Sequence, residues 1–248
     1  MFRHRLKLFK LLGFTVHIDS SWIFIALLVT WSLATGYFPE RYPGLAATTY
    51  WAMGVAGAIG LFASIIFHEF WHSLVARSKG LPMKGITLFL FGGVAETGGE
   101  PKSPGVEFWM ALAGPVASLV LSGAAYLFYL GSRSLDWGAP AIGVLGYLAF
   151  INAALAVFNL LPAFPLDGGR ILRAALWHWK KDLARATRIV ANLGAGFGIA
   201  LMVLGGLSLL YGSPIGGLWY FILGLFLRGM ARASARGVGK DASSRPDS

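Results

Sequence analysis

Two histidines and a glutamate form the most chemically specific pattern in this sequence. They occur as His68-Glu69-x-x-His72 in the segment FHEFWH. Residues four apart share one face of a helix, so both imidazoles can offer a nitrogen to one metal ion. Neutral imidazole suits zinc, and a glutamate at this position is a base that activates water for peptide hydrolysis. The pattern therefore predicts a zinc site with His68 and His72 as ligands and Glu69 as the base.

The segment before this pattern is apolar and carries no charge. It reads GVAGAIGLFASIIF, residues 54–67, and has the character of a helix inside a bilayer. Ionisable residues in such a helix are costly and usually functional. A chance match of three of them on one helical turn is therefore disfavoured.

A catalytic zinc takes three protein ligands and keeps one position open, so a third ligand is needed. The x-x-G-x-x-H continuation of the soluble metzincins is absent, because SLVARS follows His72. Asp167, in NLLPAFPLDGGR, is an acidic residue expected at the same membrane depth. Pro162 and Pro165 would break the helix there, and Gly168 and Gly169 would permit a tight turn. The alternative is that Asp167 ends a helix and meets solvent.

The composition indicates an integral membrane protein. Of the 248 residues 56% are hydrophobic and only 13% are charged, whereas soluble domains are about a quarter charged. The apolar residues fall in runs of about 20, the length that crosses a bilayer as a helix. We expect an all-α membrane protein, a bundle of six transmembrane helices with a small membrane-associated β-hairpin or sheet between spans two and three. The expected spans are roughly 20–38, 50–76, 105–130, 140–163, 188–211 and 214–231.

The distribution of basic residues orients these spans. Of the 21 Lys and Arg residues, only Arg41 and Arg133 fall in the loops after spans one and three. The positive-inside rule then places both termini in the cytoplasm. The net charge of +10 is therefore a topology signal, and nucleic-acid binding is disfavoured. Because the chain has no cysteine, disulfides and thiolate metal ligands are excluded.

The expected domain organisation is simple. Residues 1–232 form a single transmembrane domain, and residues 233–248 form a polar, disordered cytoplasmic tail. The segment RILRAALWHWKKDLARATRI, residues 170–189, mixes basic residues with Trp and Leu. It predicts an amphipathic helix on the cytoplasmic face.

Four motifs in this order carry a resemblance to a known family: HEFWH, FGGVAE, GPVASLVLS and FNLLPAFPLDGGR. The sequence resembles the site-2 protease family, the intramembrane zinc metalloproteases of peptidase family M50, in a short form without PDZ or CBS domains. The resemblance covers residues from about 15 to about 230, and it agrees with the topology. It implies one zinc ion per chain held by His68, His72 and Asp167, with Glu69 as catalytic base.

The resemblance also implies a function and a further site residue. Asn159 is expected near the zinc, where it helps to hold the substrate carbonyl or the oxyanion. The chain departs from the family at GPVAS, where Ser118 stands in place of Asn. The implied activity is an endopeptidase that cuts within or near a transmembrane segment of another membrane protein, as in regulated intramembrane proteolysis. The implied location is a prokaryotic cell membrane, with the lipid bilayer and a transmembrane protein substrate as partners.

The segment ITLFLFGG, residues 86–93, predicts a strand that could receive the substrate. An unwound substrate could pair with its free edge through backbone hydrogen bonds, and Gly92 and Gly93 would permit close approach. The alternative is a structural hairpin that plugs the bundle.

Two other functions share the HExxH pattern. Membrane peptidases of the prenyl-protein type use a downstream Glu as zinc ligand, but no Glu follows Glu107 in this chain. A metal carrier or non-catalytic binding protein has no need for the base Glu69. Both functions are therefore disfavoured by the sequence.

Overall fold

The computed structural model describes residues 5–11, 13–19, 21–89, 92–97, 99, 101–212 and 214–243. The described chain forms two compact units. The first unit comprises Met1–Glu100 and Ala113–Val157, and the second comprises Pro101–Leu112 and Phe158–Ser248. The single domain expected over residues 1–232 stays a prediction.

Most of the described residues are helical. The elements in chain order are β1 (Arg5–Leu11), β2 (Phe14–Asp19), α1 (Ser21–Ser32), a π-helical segment (Leu33–Tyr37), α2 (Phe38–Arg41), α3 (Ala47–Ser78), β3 (Met83–Phe89), β4 (Gly92–Thr97), α4 (Pro104–Ser134), α5 (Ala139–Asn159), α6 (Asp167–Lys180), α7 (Leu183–Leu210) and α8 (Pro214–Ser243).

Five described helical segments are long and apolar enough to cross a membrane. They are Trp22–Arg41, Ala47–Ser78, Pro104–Ser134, Ala139–Asn159 and Leu183–Leu210. At most 33% of the most apolar stretch of each is buried by protein, so lipid is the environment that suits the rest of their surface. The first five predicted spans are therefore confirmed as helices. The sixth, 214–231, lies within α8, which is not among these five, so the count of six is not confirmed.

The sheet is larger than the predicted hairpin between spans two and three. It has four strands in the order β1-β2-β3-β4. β1 and β2 are antiparallel, β2 and β3 are parallel, and β3 and β4 are antiparallel. The expectation of a mostly helical protein with a small sheet is confirmed, but the sheet also includes two amino-terminal strands that were not predicted. The parallel pairing is possible because α1 to α3 provide the long connection between β2 and β3.

The sheet is attached to α3 at the end of the helix that carries the histidines. The Phe14 ring of β2 packs edge-on against Phe70 at 5.6 Å between centroids, and the Arg77 guanidinium lies 4.7 Å from the Phe14 ring centroid. α3 ends because Gly80 has a φ of +75°, a conformation that glycine adopts without a steric penalty. The Leu81 amide then donates to the Ala76 carbonyl at 3.0 Å, which caps the helix by the Schellman pattern.

The predicted surface helix over residues 170–189 is interrupted. α6 ends at Lys180, Lys181 adopts a left-handed conformation, and α7 begins at Leu183. The Asp182 carboxylate accepts a hydrogen bond from the Arg185 amide at 2.8 Å and so caps the start of α7. The prediction of one helix missed this cap. α8 runs from Pro214 to Ser243.

Candidate metal centre

The two histidines of α3 lie together in the first unit, as their spacing predicts. Their side chains are buried, with 4% of His68 and 6% of His72 exposed. The two Nε2 atoms are 3.1 Å apart. Two nitrogens bound to one tetrahedral zinc at ordinary bond lengths are about 3.3 Å apart. The pair is therefore spaced for a single zinc ion.

Gly114 of α4 faces this pair within the same unit. A Cβ atom at Gly114 would lie 2.2 Å from His72 Nε2 and 2.5 Å from His68 Nε2. These distances are far below van der Waals contact, so any side chain at this position would occupy the space in front of the two nitrogens. Because glycine has no Cβ, this space is open to a metal ion. The donor set of two imidazoles fits zinc.

Gly114→Ala is expected to weaken zinc binding by about tenfold or more, because overpacking at this position costs about 1–3 kcal/mol. Gly123→Ala is the matched control: it lies on the same helix, and nothing lies within 4 Å of its added Cβ. Zinc affinity of both variants can be measured by competition with a chromophoric chelator. Equal affinities would contradict the assignment of this space to the metal.

Ser118 lies one helical turn after Gly114 and contacts the other nitrogen of His68. The Ser118 Oγ to His68 Nδ1 distance is 2.9 Å, and no part of Ser118 is exposed. In the sequence, Ser118 is recognisable only as a departure from the family motif. The spacing Gly114-x-x-x-Ser118 is a sequence signal that could have placed both residues on one helix face.

A second buried contact joins α5 to α3 one turn before His68. The Asn152 Nδ2 donates to Ser64 Oγ at 2.9 Å and to the Leu148 carbonyl at 2.9 Å. The Ser64 hydroxyl in turn donates to the Gly60 carbonyl at 2.9 Å. Buried hydrogen bonds of this kind fix side-chain positions because breaking them leaves polar groups without water.

Glu69 follows His68 on α3 and is only partly buried. A partly buried carboxylate remains accessible to water, as a general base requires. Its backbone carbonyl accepts a hydrogen bond from Ser73 Oγ at 3.0 Å, an ordinary contact within the helix.

Asp167 lies in the second unit as the first residue of α6, and 8% of it is exposed. The amino terminus of a helix favours a carboxylate because unpaired backbone N–H groups point toward it. The two residues that follow are part of the helix, so the turn predicted for Gly168 and Gly169 is not their role. A Cβ at Gly168 would lie 2.1 Å from the Leu160 carbonyl oxygen, and one at Gly169 would lie 2.6 Å from the Ala163 carbonyl carbon. Glycine is needed because the preceding loop folds back onto the helix.

The loop before Asp167 is anchored on the other helices of the second unit. Phe164 is buried against Val190 of α7 and Ala231 of α8. Leu166 is buried in a separate cluster with Leu201 of α7 and Leu227 of α8. These contacts on both sides of Pro165 hold the start of α6 in place.

A buried ion pair also supports α6. The Arg173 Nε donates to Glu107 Oε1 at 2.6 Å, and its NH2 group contacts the same oxygen. Glu107 is completely buried. The Arg173 guanidinium also lies 5.2 Å from the Phe164 ring centroid. Arg173 therefore connects the helix that begins with Asp167 to the loop before it and to the start of α4.

Arg173→Met is expected to lower the unfolding free energy by about 3 kcal/mol, because Glu107 loses this cation while it stays buried. The control is Arg170→Met on the same helix, a residue for which the described part of the structure gives no ion pair. Denaturant unfolding in detergent compares the two variants. Equal destabilisation would show that the pair contributes nothing beyond ordinary packing.

The remaining predicted residues lie on two other elements. Asn159 is the last residue of α5 and is partly buried. Gly92 and Gly93 begin β4, which is an edge strand and packs against α3. Residues 86–89 belong to β3, which is paired on both sides, so the free edge is that of β4 rather than of β3.

Comparisons with known proteins agree on one family. A family model described as Peptidase family M50 matches residues 56–135 and 131–204. A protein of Mycobacterium tuberculosis provisionally named zinc metalloprotease Rip3 is 41% identical over 233 residues, which are 93% of this chain and 58% of that protein. Zinc metalloprotease MJ0392 of Methanocaldococcus jannaschii is 31% identical over 207 residues, 83% of this chain and 55% of that protein.

A solved structure agrees as well. The site-2 protease from Methanocaldococcus jannaschii matches with a TM-score of 0.66 and 28% identity, covering 94% of this chain and 95% of that chain. The present chain spans less than two thirds of the length of the curated relatives named above. The two segments matched by the family model include the histidines, Glu69, Asn159 and Asp167.

Proposed function

The chain belongs to peptidase family M50, and from this premise we propose that it is an intramembrane zinc endopeptidase. Its reaction is hydrolysis of a peptide bond within or near a transmembrane segment of another membrane protein. The observation that carries the proposal is the buried His68–His72 pair, spaced for one ion, with Glu69 beside it on a helix long and apolar enough to span a membrane.

One zinc ion per chain is proposed, with His68, His72 and Asp167 as its ligands. The proposal is supported by the burial of all three side chains, because a buried carboxylate and buried imidazoles are groups that commonly coordinate a metal ion. Two neutral imidazoles and one carboxylate are a known ligand set for catalytic zinc. The names of the relatives, which include zinc metalloprotease, also support it. When bound, zinc polarises the substrate carbonyl and lowers the pKa of water.

The protein's own groups move the protons and hold the substrate. Glu69 takes a proton from the attacking water and delivers it to the nitrogen of the leaving amine. The Asn159 side-chain amide donates a hydrogen bond to the substrate carbonyl oxygen, where negative charge develops in the transition state. On each of His68 and His72, zinc would be held by a ring nitrogen that carries no proton.

The substrate must expose a peptide bond that a transmembrane helix hides. We infer that the unwound segment pairs with the free edge of β4, where Gly92 and Gly93 permit close backbone approach. The packing of β4 on α3 supports this inference, because an added strand would run beside the helix that carries Glu69. We also propose a prokaryotic cell membrane as the location, with both termini in the cytoplasm, and the distribution of basic residues supports this orientation.

Two matched substrates test the function. Each is a single-span fusion protein, one with an all-leucine span and one whose span contains a central Asn-Gly pair that weakens the helix. Proteoliposomes of the purified chain with zinc should cleave the second within the span and cleave the first much more slowly. Removal of zinc with a chelator should stop cleavage, and added zinc should restore it. Failure to cleave either substrate with zinc bound would overturn the proposal.

A further inference from the structure

We propose that Ser118 is a positioning residue for zinc: its hydroxyl holds the His68 imidazole in the tautomer and orientation that present Nε2 to the metal. The inference rests on the proposed zinc site. It is carried by the 2.9 Å separation of Ser118 Oγ and His68 Nδ1, two atoms in fully or nearly fully buried side chains.

The choice of nitrogen follows from the geometry. His68 Nε2 faces His72 Nε2 across 3.1 Å, so Nε2 is the atom available to an ion shared with His72. A neutral imidazole that binds metal through Nε2 carries its proton on Nδ1. The Nδ1–H then donates to Ser118 Oγ, which has two lone pairs to accept it. The second nitrogen of a metal-binding histidine commonly has such a partner, and that partner orients the ring.

The Ser118 contact also explains what the serine does at a position where the resemblance predicts asparagine. Ser118 and Gly114 are four residues apart, so they occupy the same face of α4. Gly114 leaves space next to the two Nε2 atoms. Ser118 contacts the other ring nitrogen of His68, Nδ1. One helix face thus provides both the room for the ion and the hydrogen bond that aims its ligand.

The test compares two serines of α4. Ser118→Ala removes the hydroxyl at His68, and Ser122→Ala removes one that donates to the Ala149 carbonyl at 2.7 Å. Zinc affinity, measured on the full chain in detergent by chelator competition, should fall by about 10- to 100-fold for Ser118→Ala. It should stay within about twofold of wild type for Ser122→Ala, and Ser118→Thr should recover most of the loss because it keeps the hydroxyl.

Cobalt(II) provides a readout that does not depend on activity or on stability. The visible absorption of the cobalt-loaded protein reports ligand geometry, so it should change in Ser118→Ala and match wild type in Ser122→Ala. Wild-type zinc affinity and an unchanged cobalt spectrum in Ser118→Ala would overturn the inference and leave the proposed function standing. If the wild-type chain binds no zinc, the proposed function fails instead.

Discussion

Glu69→Gln is expected to lower the rate of peptide hydrolysis by about 10²- to 10⁴-fold while zinc binding stays at the wild-type level. The amide has nearly the same shape as the carboxylate but cannot take a proton from water, so the loss is that of a general base. Both quantities can be measured on one preparation: kcat/KM with the fusion substrate that has the weakened span, and zinc content by metal analysis.

The control for Glu69→Gln is Glu40→Gln, at an exposed position near the end of the first span. It makes the same change of charge and should leave both rate and zinc content unaltered. A Glu69→Gln protein that cleaves at the wild-type rate would show that catalysis does not pass through this carboxylate. If the wild-type chain binds zinc but cleaves neither substrate, the alternative of a metal-binding protein without catalysis would be favoured.

Asp167→Asn is expected to reduce zinc content from about one ion per chain to well below half. The carboxylate is the only charged group among the three proposed ligands, and an amide oxygen is a much weaker ligand for zinc. Zinc content is measured after dialysis against a weak chelator, with circular dichroism to show that the helices are retained. Activity should fall in parallel with the metal.

Asp182→Asn is the matched control for this prediction. It removes a carboxylate from the same unit, and asparagine caps a helix as well as aspartate does, so the start of α7 is preserved. Its zinc content should equal that of wild type. Equal zinc content in Asp167→Asn and wild type would exclude Asp167 as a ligand, and a different third ligand would have to be found.

The chemistry on α3 could be predicted from sequence because it depends on local geometry alone. A helix places residues four apart on one face whatever surrounds it, so the pairing of His68 with His72 follows from their spacing. The first five spans were predictable for a related reason. Bilayer thickness imposes a minimum length of apolar helix, and that length is visible in the sequence without knowledge of packing.

The sheet and the start of α7 were mispredicted for two different reasons. β1 and β2 were not predicted, because pairing β2 with β3 joins segments about 70 residues apart and leaves no local pattern. The long helix predicted across Lys181 and Asp182 reflects apolar periodicity. The cap at Asp182 and the left-handed residue before it override that periodicity.

What the sequence determined by itself is the set of chemical groups on α3, the apolar helices that carry them and the family to which they belong. Tertiary structure alone decided that Gly114 faces both histidines, that Ser118 contacts His68 and that β4, unlike β3, is an edge strand. It also decided that Gly168 and Gly169 lie in a helix, where they leave room for the preceding loop, and that they do not form a turn. These are distances between segments remote in sequence, and such distances depend on which helix faces pack together. Spacing along one helix cannot specify that choice.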